Sequence, residues 1–136
     1  MTETGPELCV GAIACDAESL LLVRRGHGPA AGTWSVPGGR VIAGETLAEA
    51  VVRELAEETG LEAVCDELVG WIERISGGRH FVILDFRVSV LEPRDPIAGS
   101  DASEACWVPL ADVASMALVD GLAEFLYANG ILATIS

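Results

Sequence analysis

Residues 39–61 read GRVIAGETLAEAVVRELAEETGL, and this stretch decides the fold because it contains a helix with both of its ends marked. Thr46 followed by Glu49 three residues later is a capping-box pattern, so the helix is predicted to begin at Thr46. Gly60 stands where a left-handed C-terminal residue is expected. Apolar residues at spacings of three and four predict a stripe that faces the core: Ala48, Val51, Val52 and Leu55.

Three carboxylates follow one another along the same helix. Glu54, Glu57 and Glu58 occupy positions i, i+3 and i+4, which puts their side chains on neighbouring turns of one face. Such acids repel one another, and a hard divalent cation with oxygen ligands is the usual compensation. Upstream, residues 37–39 read Pro-Gly-Gly and predict a tight turn whose carbonyls can approach a metal or a phosphate. The pattern therefore predicts a magnesium platform for phosphate chemistry.

The spacing of fixed residues across this stretch resembles a complete Nudix box. The approach to it, Leu21 to Arg25 and Gly32 to Gly38, also resembles the same family. The residues that carry the resemblance are Gly39, Glu45, Arg53-Glu54-Leu55, Glu57-Glu58 and Gly60-Leu61. The fold implied is a Nudix-type α/β/α sandwich with a mixed central sheet.

The resemblance also implies an activity and the residues that perform it. Nudix hydrolases cleave a pyrophosphate bond in a nucleoside diphosphate linked to another moiety, with Mg2+ or Mn2+ as cofactor. The metal ligands implied are the Gly38 carbonyl, Glu54, Glu57 and Glu58, and the catalytic residues implied are Glu54, Glu57, Arg53 and Glu104. Glu54 or a glutamate outside the box is the general base, depending on the branch. Arg53 orients the carboxylates, and Glu45 and Gly39 support the site.

Each assignment has a plainer alternative. Glu57 and Glu58 are also compatible with a solvated helix face, and Arg53 with a surface cation that offsets nearby acids. Glu45 is compatible with an acid that favours a helix N-terminus. The glycines at 38 and 39 are compatible with an ordinary turn.

Four residues outside the box are predicted to bind substrate: Arg24, Arg25, Asp85 and Arg87. Asp85 and Arg87 share one face of a predicted strand with Phe81 and Ile83, which suggests a polar cleft there, and a structural ion pair is the alternative. One of Arg24 and Arg25 is expected to meet a substrate phosphate, and the other is expected to be solvated.

The remaining chain alternates strand and helix signals. Ambiguity is confined to residues 63–74, which are predicted to be strand in part. Strands are predicted at 8–15, 20–25, 33–36, 79–91 and 104–108, helices at 110–116 and 120–129, and a polar loop at 92–103. Residues 1–136 are expected to form a single domain.

Composition limits the class of partner. The 8 basic and 21 acidic residues give a net charge of −13, which argues against binding to a nucleic-acid duplex. Four cysteines without metal-binding spacing predict buried free thiols in a reducing cytoplasm. With neither a signal-peptide pattern nor a membrane-length apolar run, the protein is expected to be cytoplasmic and not to bind a membrane. A homodimer is compatible with the 51% hydrophobic content.

The choice of substrate is less determined by the sequence. Residues 76–78 read Ser-Gly-Gly where some Nudix branches have a marker proline or tyrosine, so neither marker is present. The compactness of the chain favours a small nucleotide substrate. A (deoxy)nucleoside triphosphate that gives monophosphate and pyrophosphate is the leading hypothesis, and ADP-ribose or another nucleoside-diphosphate sugar is the alternative. A hypothesis of another class is a nucleotide-sensing module that does not hydrolyse.

Overall fold

A computed structural model describes residues 5–28, 30–99 and 101–133. The chain begins with a β-hairpin of β1 (Glu7–Asp16) and β2 (Ser19–Arg25). The turn between them consists of Ala17 and Glu18, both with positive φ, which is the backbone twist that two-residue hairpin turns require. Both strands were predicted, and each boundary lies within one residue of the expected one.

The other elements complete a mixed sheet with helices on both faces. They are β3 (Trp34–Ser35), β4 (Gly38–Arg40), α1 (Leu47–Thr59), β5 (Ala63–Ser76), β6 (Arg79–Val90), β7 (Ala102–Pro109), α2 (Leu110–Val113) and α3 (Leu122–Ala128). The strand order is β3-β2-β1-β6-β5, with β4 paired to β1 and β7 paired to β2. Strands β1 and β6 are parallel, and the other strand pairs in the described ranges are antiparallel.

Two cores lie on opposite faces of this sheet. One core packs beneath α1 and includes Val10, Ala12 and Leu55. The other packs beneath α2 and α3 and includes Ile13 and Leu126. Alternate residues of β1 enter different cores because successive side chains of a strand point to opposite faces. The predicted α/β/α arrangement with a mixed sheet is confirmed.

Helix α1 has the ends that the sequence predicts. Thr46 caps it through a complete capping box with Glu49, and Gly60 closes it in the left-handed conformation with a φ of 73°. The predicted apolar stripe is only partly right, because Ala48 is exposed and Val52 is half-buried. The buried residues are Ala50, Val51, Leu55 and Thr59. The helix is rotated so that the side containing Glu54 and Glu58 also turns towards the sheet.

Several boundaries differ from the predictions. Residues 38–40 form strand β4 rather than the tight turn predicted for residues 37–39. Helix α2 ends at Val113 because the amides of residues 115 and 116 bond three residues back, which tightens the chain into turns. Helix α3 starts after Gly121, which has a φ of 85° and interrupts the helix predicted from residue 120. The ambiguous segment 63–74 is strand throughout.

Two further observations concern the cysteines and the apolar character of the helices. The four cysteines are free thiols, but none is fully buried and Cys15 is exposed, so the expectation of buried thiols is wrong. Cys15 lies near the end of β1, beside the hairpin turn, where the core no longer covers it. None of the helices in the described ranges combines the length and the apolar character needed to cross a bilayer.

Candidate functional site

Strand β4 forms the floor of the site, and its two glycines allow it to lie close to its neighbours. A Cβ on Gly38 would collide with the carbonyl oxygen of Val10 on the paired strand β1. A Cβ on Gly39 would lie 2.5 Å from the carboxylate of Glu54 on α1. The sequence Gly38-Gly39 is thus required by close packing on both sides, and the hypothesis of an ordinary turn is wrong.

Arg53 holds the loop before α1 against the helix. Its Nε and Nη2 donate to the two carboxylate oxygens of Glu45, each at 2.8 Å. The Ile42 amide also donates to Glu45 at 2.9 Å. The hydrogen bonds from Arg53, aided by the one from Ile42, lower the pKa of Glu45 to about 2. Glu45 therefore connects the loop before α1 to the helix through Arg53.

The same guanidinium contacts two of the three clustered acids. Nη1 of Arg53 donates to Glu54 at 2.8 Å and to Glu57 at 3.2 Å, and Nη2 donates to the Arg40 carbonyl at 3.0 Å. The Arg53 side chain is 24% exposed, so it is not a free surface cation. The sequence suggested that a metal ion compensates the repulsion between the three acids. Part of this repulsion is instead offset by an arginine on the same helix.

Glu58 is the third acid, and it faces the sheet. The Gly38 amide donates to its Oε1 at 2.8 Å, which links α1 directly to β4. Burial is the main reason that the pKa of Glu58 is raised to about 7; the Gly38 hydrogen bond and Arg25 lower it, while Glu54 and Asp101 raise it. Glu58 is half-buried and Glu57 is exposed, so the solvated-face alternative does not describe Glu58.

The acids fit an open metal site rather than a closed one. Within the described ranges, no three histidine, cysteine or acidic side chains are grouped so that they could hold a metal ion by themselves. Magnesium does not need such a cage, because it commonly binds one or two carboxylates together with waters and substrate phosphates. Glu54 and Glu58 offer hard oxygen donors beside the exposed Glu57. The raised pKa of Glu58 marks a carboxylate that a cation would favour in its ionised form.

Beside these acids lie residues of the β2–β7 pair. Arg24 on β2 donates to Glu104 on β7 at 2.7 Å and to the Gly32 carbonyl at 3.3 Å. Both side chains of this ion pair are about half exposed, at 43% and 55%. Arg25 is exposed and lies near enough to Glu58 to influence its pKa. Arg24 and Glu104 therefore form an ion pair with each other, whereas Arg25 lies near Glu58 of α1.

Asp101 is a candidate site residue that the sequence analysis did not identify. Its charge acts on Glu58, its carboxylate lies 3.0 Å from His27, and its carbonyl accepts the Gly26 amide at 2.8 Å. The only sequence signal is an acid at the end of a polar loop, three residues before Glu104. That signal has no period or spacing that distinguishes it from other loop acids.

The loop that carries Asp101 is attached to the C-terminal turn of α1. The amides of Ile97 and Gly99 donate to the carbonyls of Thr59 and Glu58 at 2.8 and 3.1 Å. A Cβ on Gly99 would lie 2.5 Å from the Glu57 carbonyl oxygen. These contacts hold residues 97 and 99 against α1, two residues before Asp101.

The structure separates Asp85 and Arg87, the two substrate-binding candidates on β6. Asp85 is buried and paired in register with Gly11, while Arg87 contacts Glu67 at 3.4 Å. Arg87 also lines a depression of about 230 Å³ with Cys15, away from the α1 acids. The alternative of an Asp85–Arg87 ion pair is therefore not realised.

Comparison with known proteins agrees with this geometry. A family model described as the NUDIX domain matches residues 5–128. An ADP-ribose pyrophosphatase of Methanocaldococcus jannaschii is 36% identical over 82% of this chain and 67% of its own. A putative 8-oxo-dGTP diphosphatase 2 of Mycobacterium tuberculosis is 42% identical over 61% of this chain and 58% of its own.

A solved structure gives the same result at the level of the fold. The MutT protein from Methanosarcina mazei Go1 superposes with a TM-score of 0.83 and 26% identity, and the match covers 96% of each chain. The chain belongs to the Nudix family, and the class of enzyme defined by its fold and by these relatives is the Nudix pyrophosphohydrolase.

Proposed function

We propose that this protein hydrolyses the pyrophosphate bond of a (deoxy)nucleoside triphosphate with Mg2+ or Mn2+, releasing a nucleoside monophosphate and pyrophosphate. The observation that carries the proposal is the convergence of Glu54 and Glu58 on the two glycines of β4, with Arg53 between Glu45 and the acids. This arrangement brings oxygen donors of α1 together beside β4, where a diphosphate and its cation can bind together.

Different residues of the chain have different roles in the proposed reaction. Glu54, Glu57, Glu58 and the Gly38 carbonyl would hold the cation, which would neutralise phosphate charge and make the phosphorus more electrophilic. A water molecule adds to one phosphorus, the bridging P–O bond breaks, and the proton of the water passes to a carboxylate. Three acids are candidates for that carboxylate: Glu54, Glu104 and Asp101. Glu54 lies on α1, Glu104 lies on β7, and Asp101 lies just before β7 and near Glu58.

Substrate phosphates need cationic partners as well as the metal. Arg25 is the first candidate because it is exposed and acts on Glu58. Arg24 is the second, since its ion pair with Glu104 is exposed and can rearrange when a stronger phosphate partner arrives. Asp85 and Arg87 stay as proposed substrate contacts, of which Asp85 is the nearer to β4.

The free thiols and the acidic surface support the rest of the proposal. Four unpaired cysteines are consistent with a reducing cytoplasm. A net charge of −13 gives a nucleic-acid duplex little to bind, whereas a small nucleotide can arrive with its cation. The partner that we propose is therefore a small nucleotide.

The test is a substrate panel with and without magnesium or manganese. Canonical and oxidised deoxynucleoside triphosphates and ADP-ribose are compared for release of phosphate or pyrophosphate. Turnover of the triphosphates supports the proposal. Turnover of ADP-ribose alone would favour the second candidate, which is suggested by the resemblance to the Methanocaldococcus jannaschii pyrophosphatase.

The variant Glu57→Gln separates an enzyme from a nucleotide sensor. Glu57 is exposed on α1, so the substitution removes a carboxylate with little effect on packing. An enzyme loses turnover far more than nucleotide affinity. Glu62→Gln, an exposed acid just beyond the helix, is the matched control and is expected to leave turnover unchanged.

A further inference from the structure

Strand β5 lies at an edge of the sheet, and within the described ranges β6 is its only partner strand. At 14 residues it is longer than most strands of globular proteins. Natural proteins blunt or cover such an edge, because its unpaired backbone groups can join another chain. Bulges before Gly70 blunt the first half of β5, but the residues from Gly70 to Ser76 pair regularly with β6. The second half therefore lacks this protection.

An apolar patch lies beside this edge, on the face of the sheet that carries α1. Trp71 pairs in register with Leu84 of β6, and Leu68 pairs with Phe86, which packs against the core beneath α1. Paired residues share a face of the sheet, so these side chains point to the same side. We call the patch formed here by six side chains the β5 patch: Leu8, Leu68, Trp71, Ile75, Val82 and Leu84.

The β5 patch is not covered by the described part of the chain. Trp71 is 60% exposed and Ile75 is 72% exposed, and neither core includes any residue of the patch. Large apolar side chains in contiguous exposed patches mark interaction surfaces more often than isolated ones do. The patch is therefore a candidate docking surface.

The same surface continues onto the outer flank of α1. A shallow groove of about 400 Å³ separates α1 from the start of β5, and Ala48, Val52 and Cys65 are among its lining residues. Cys65 lies on the same face of β5 as Leu68, so the groove joins the patch. Ala48 and Val52 belong to the apolar stripe that the sequence predicts to face the core, yet they are exposed and half-buried. A covering surface would account for that stripe.

The combined surface is large enough for a stable interface. From residue 63 to residue 75 it is about 40 Å long, and across three strands it is about 15 Å wide, which gives roughly 600 Å². This area is at the upper end of what monomers expose, and a stable interface buries about 800 Å² per partner. A polar rim of ordinary width supplies the difference.

The two acids of β5 on either side of Trp71 already have partners within the chain. Glu73 contacts His80 at 2.9 Å, and Glu67 contacts Arg87 at 3.4 Å. A surface built for a basic partner would present unpaired acids, because interfaces place opposite charges against each other. The surface around Trp71 therefore does not select an oppositely charged partner, and it suits a second copy of the same chain.

We propose that this surface is the interface of a homodimer, in which the β5 patch and the outer flank of α1 cover those of a second copy. A twofold axis makes the interface self-complementary, so two copies close it and leave no edge for further chains. Trp71 lies near the middle of the surface, where tryptophan contributes most to binding. Val52 and Glu54 lie on opposite sides of α1, about 200° apart, so the dimer leaves the acids of α1 open.

The first test is the molar mass in solution, measured by sedimentation equilibrium from the low micromolar to the submillimolar range. We expect the wild-type protein to be a dimer that dissociates on dilution. Its dissociation constant should fall when sodium chloride is added, because two chains of charge −13 repel each other and salt screens that repulsion. A mass that stays at one chain throughout, or that keeps rising beyond two chains, overturns the inference.

The second test replaces the centre of the interface. Trp71→Glu is expected to raise the dissociation constant by at least about 30-fold, whereas Trp71→Phe keeps an aromatic contact and should have a smaller effect. Tyr127→Glu is the matched control, because Tyr127 is an exposed aromatic residue on α3, on the opposite face of the sheet. A thermal melt confirms that each variant is folded. A dimer of Trp71→Glu as tight as that of the wild type overturns the inference.

Thiol alkylation tests the wild-type protein and so does not depend on the folding of a variant. Cys65 lines the groove, whereas Cys15 is exposed outside it. The rate of Cys65 alkylation by iodoacetamide, followed by mass spectrometry, should fall as the protein concentration rises, while the rate for Cys15 stays constant. Rates for Cys65 that are independent of concentration overturn the inference. Neither measurement involves a nucleotide, so this inference and the proposed function can fail independently.

Discussion

Arg53 is the residue on which the acids of the site converge. It bonds Glu45 through two nitrogens and also reaches Glu54 and Glu57. A guanidinium can do this because its donors are fixed in a planar fork, whereas a lysine ammonium is a point charge. The arginine thus keeps the carboxylates apart and oriented, which is what the proposed cation site requires.

We expect Arg53→Lys to lower kcat/KM for the substrate by about 10- to 100-fold, which is the usual cost of losing a residue that orients metal ligands. The substitution keeps the charge but loses the paired bonds to Glu45. The magnesium concentration needed for half-maximal activity should rise in the same experiment. Arg40→Lys, which alters an exposed ion pair with Glu7, serves as the control. Unchanged magnesium dependence in Arg53→Lys would show that this arginine has no orienting role.

A second prediction at the residue scale concerns the effect of Asp85 on the stability of the fold. Burial raises its pKa from 3.8 to about 6 in the folded state, so the folded protein holds this proton at pH values where the unfolded chain has released it. Its contribution therefore becomes less favourable as pH rises from about 4 to about 6 and is constant above that range.

Asp85→Asn is accordingly expected to increase the free energy of unfolding by about 1–2 kcal/mol at about pH 8, after allowance for the buried amide. The gain should be about 1 kcal/mol smaller at about pH 5, where the wild-type carboxyl is largely protonated. Urea unfolding at the two pH values measures both quantities. Asp95→Asn changes an exposed loop residue and should show no such dependence. An Asp85→Asn variant less stable than wild type at both pH values contradicts the prediction.

At the scale of elements, those that depend on local sequence signals could be predicted, whereas those that depend on contacts with distant parts of the chain could not. Helix α1 was predictable because its capping box and its left-handed glycine act within a few residues. Strand β4 was not, because the need for glycine at position 38 comes from Val10, far away in the chain. The position of Asp101 depends likewise on a loop that bonds to the end of α1. Hydrophobic periodicity carries no information about contacts of this kind.

The next prediction concerns the position of the loop that contains Gly99 and Asp101. A Cβ on Gly99 would lie 2.5 Å from the carbonyl oxygen of Glu57, so Gly99→Ala must move the loop away from α1. Asp101 should move with it, and we expect kcat to fall by about tenfold or more, as misplacement of catalytic groups by about 1 Å has large effects. Gly5→Ala, where a Cβ has open space, is the control. Wild-type kcat in Gly99→Ala would show that the loop position does not matter.

At the scale of the whole molecule, the negative charge of the protein opposes the binding of the nucleotide that we propose as its substrate. A net charge of −13 repels a polyanionic nucleotide, and the acids of α1 are concentrated where the phosphates are proposed to lie. Part of this repulsion is offset within the protein by Arg53, Arg25 and the Gly38 amide. A divalent cation bound at the acids would remove much of the remainder.

Magnesium is therefore expected to stabilise the folded protein specifically, beyond the screening that any salt provides. A ligand that binds only the folded state adds about 2.7 kcal/mol at about 100 times its dissociation constant, so the melting temperature should rise by several degrees. Sodium chloride at matched ionic strength should produce a smaller rise, because it only screens the surface charge. Glu57→Gln should reduce the magnesium-specific part, while the control Glu62→Gln should retain it, since Glu62 lies beyond the helix. Equal shifts with the two salts in the wild-type protein would mean that magnesium acts on the general surface charge and that the α1 acids form no metal site.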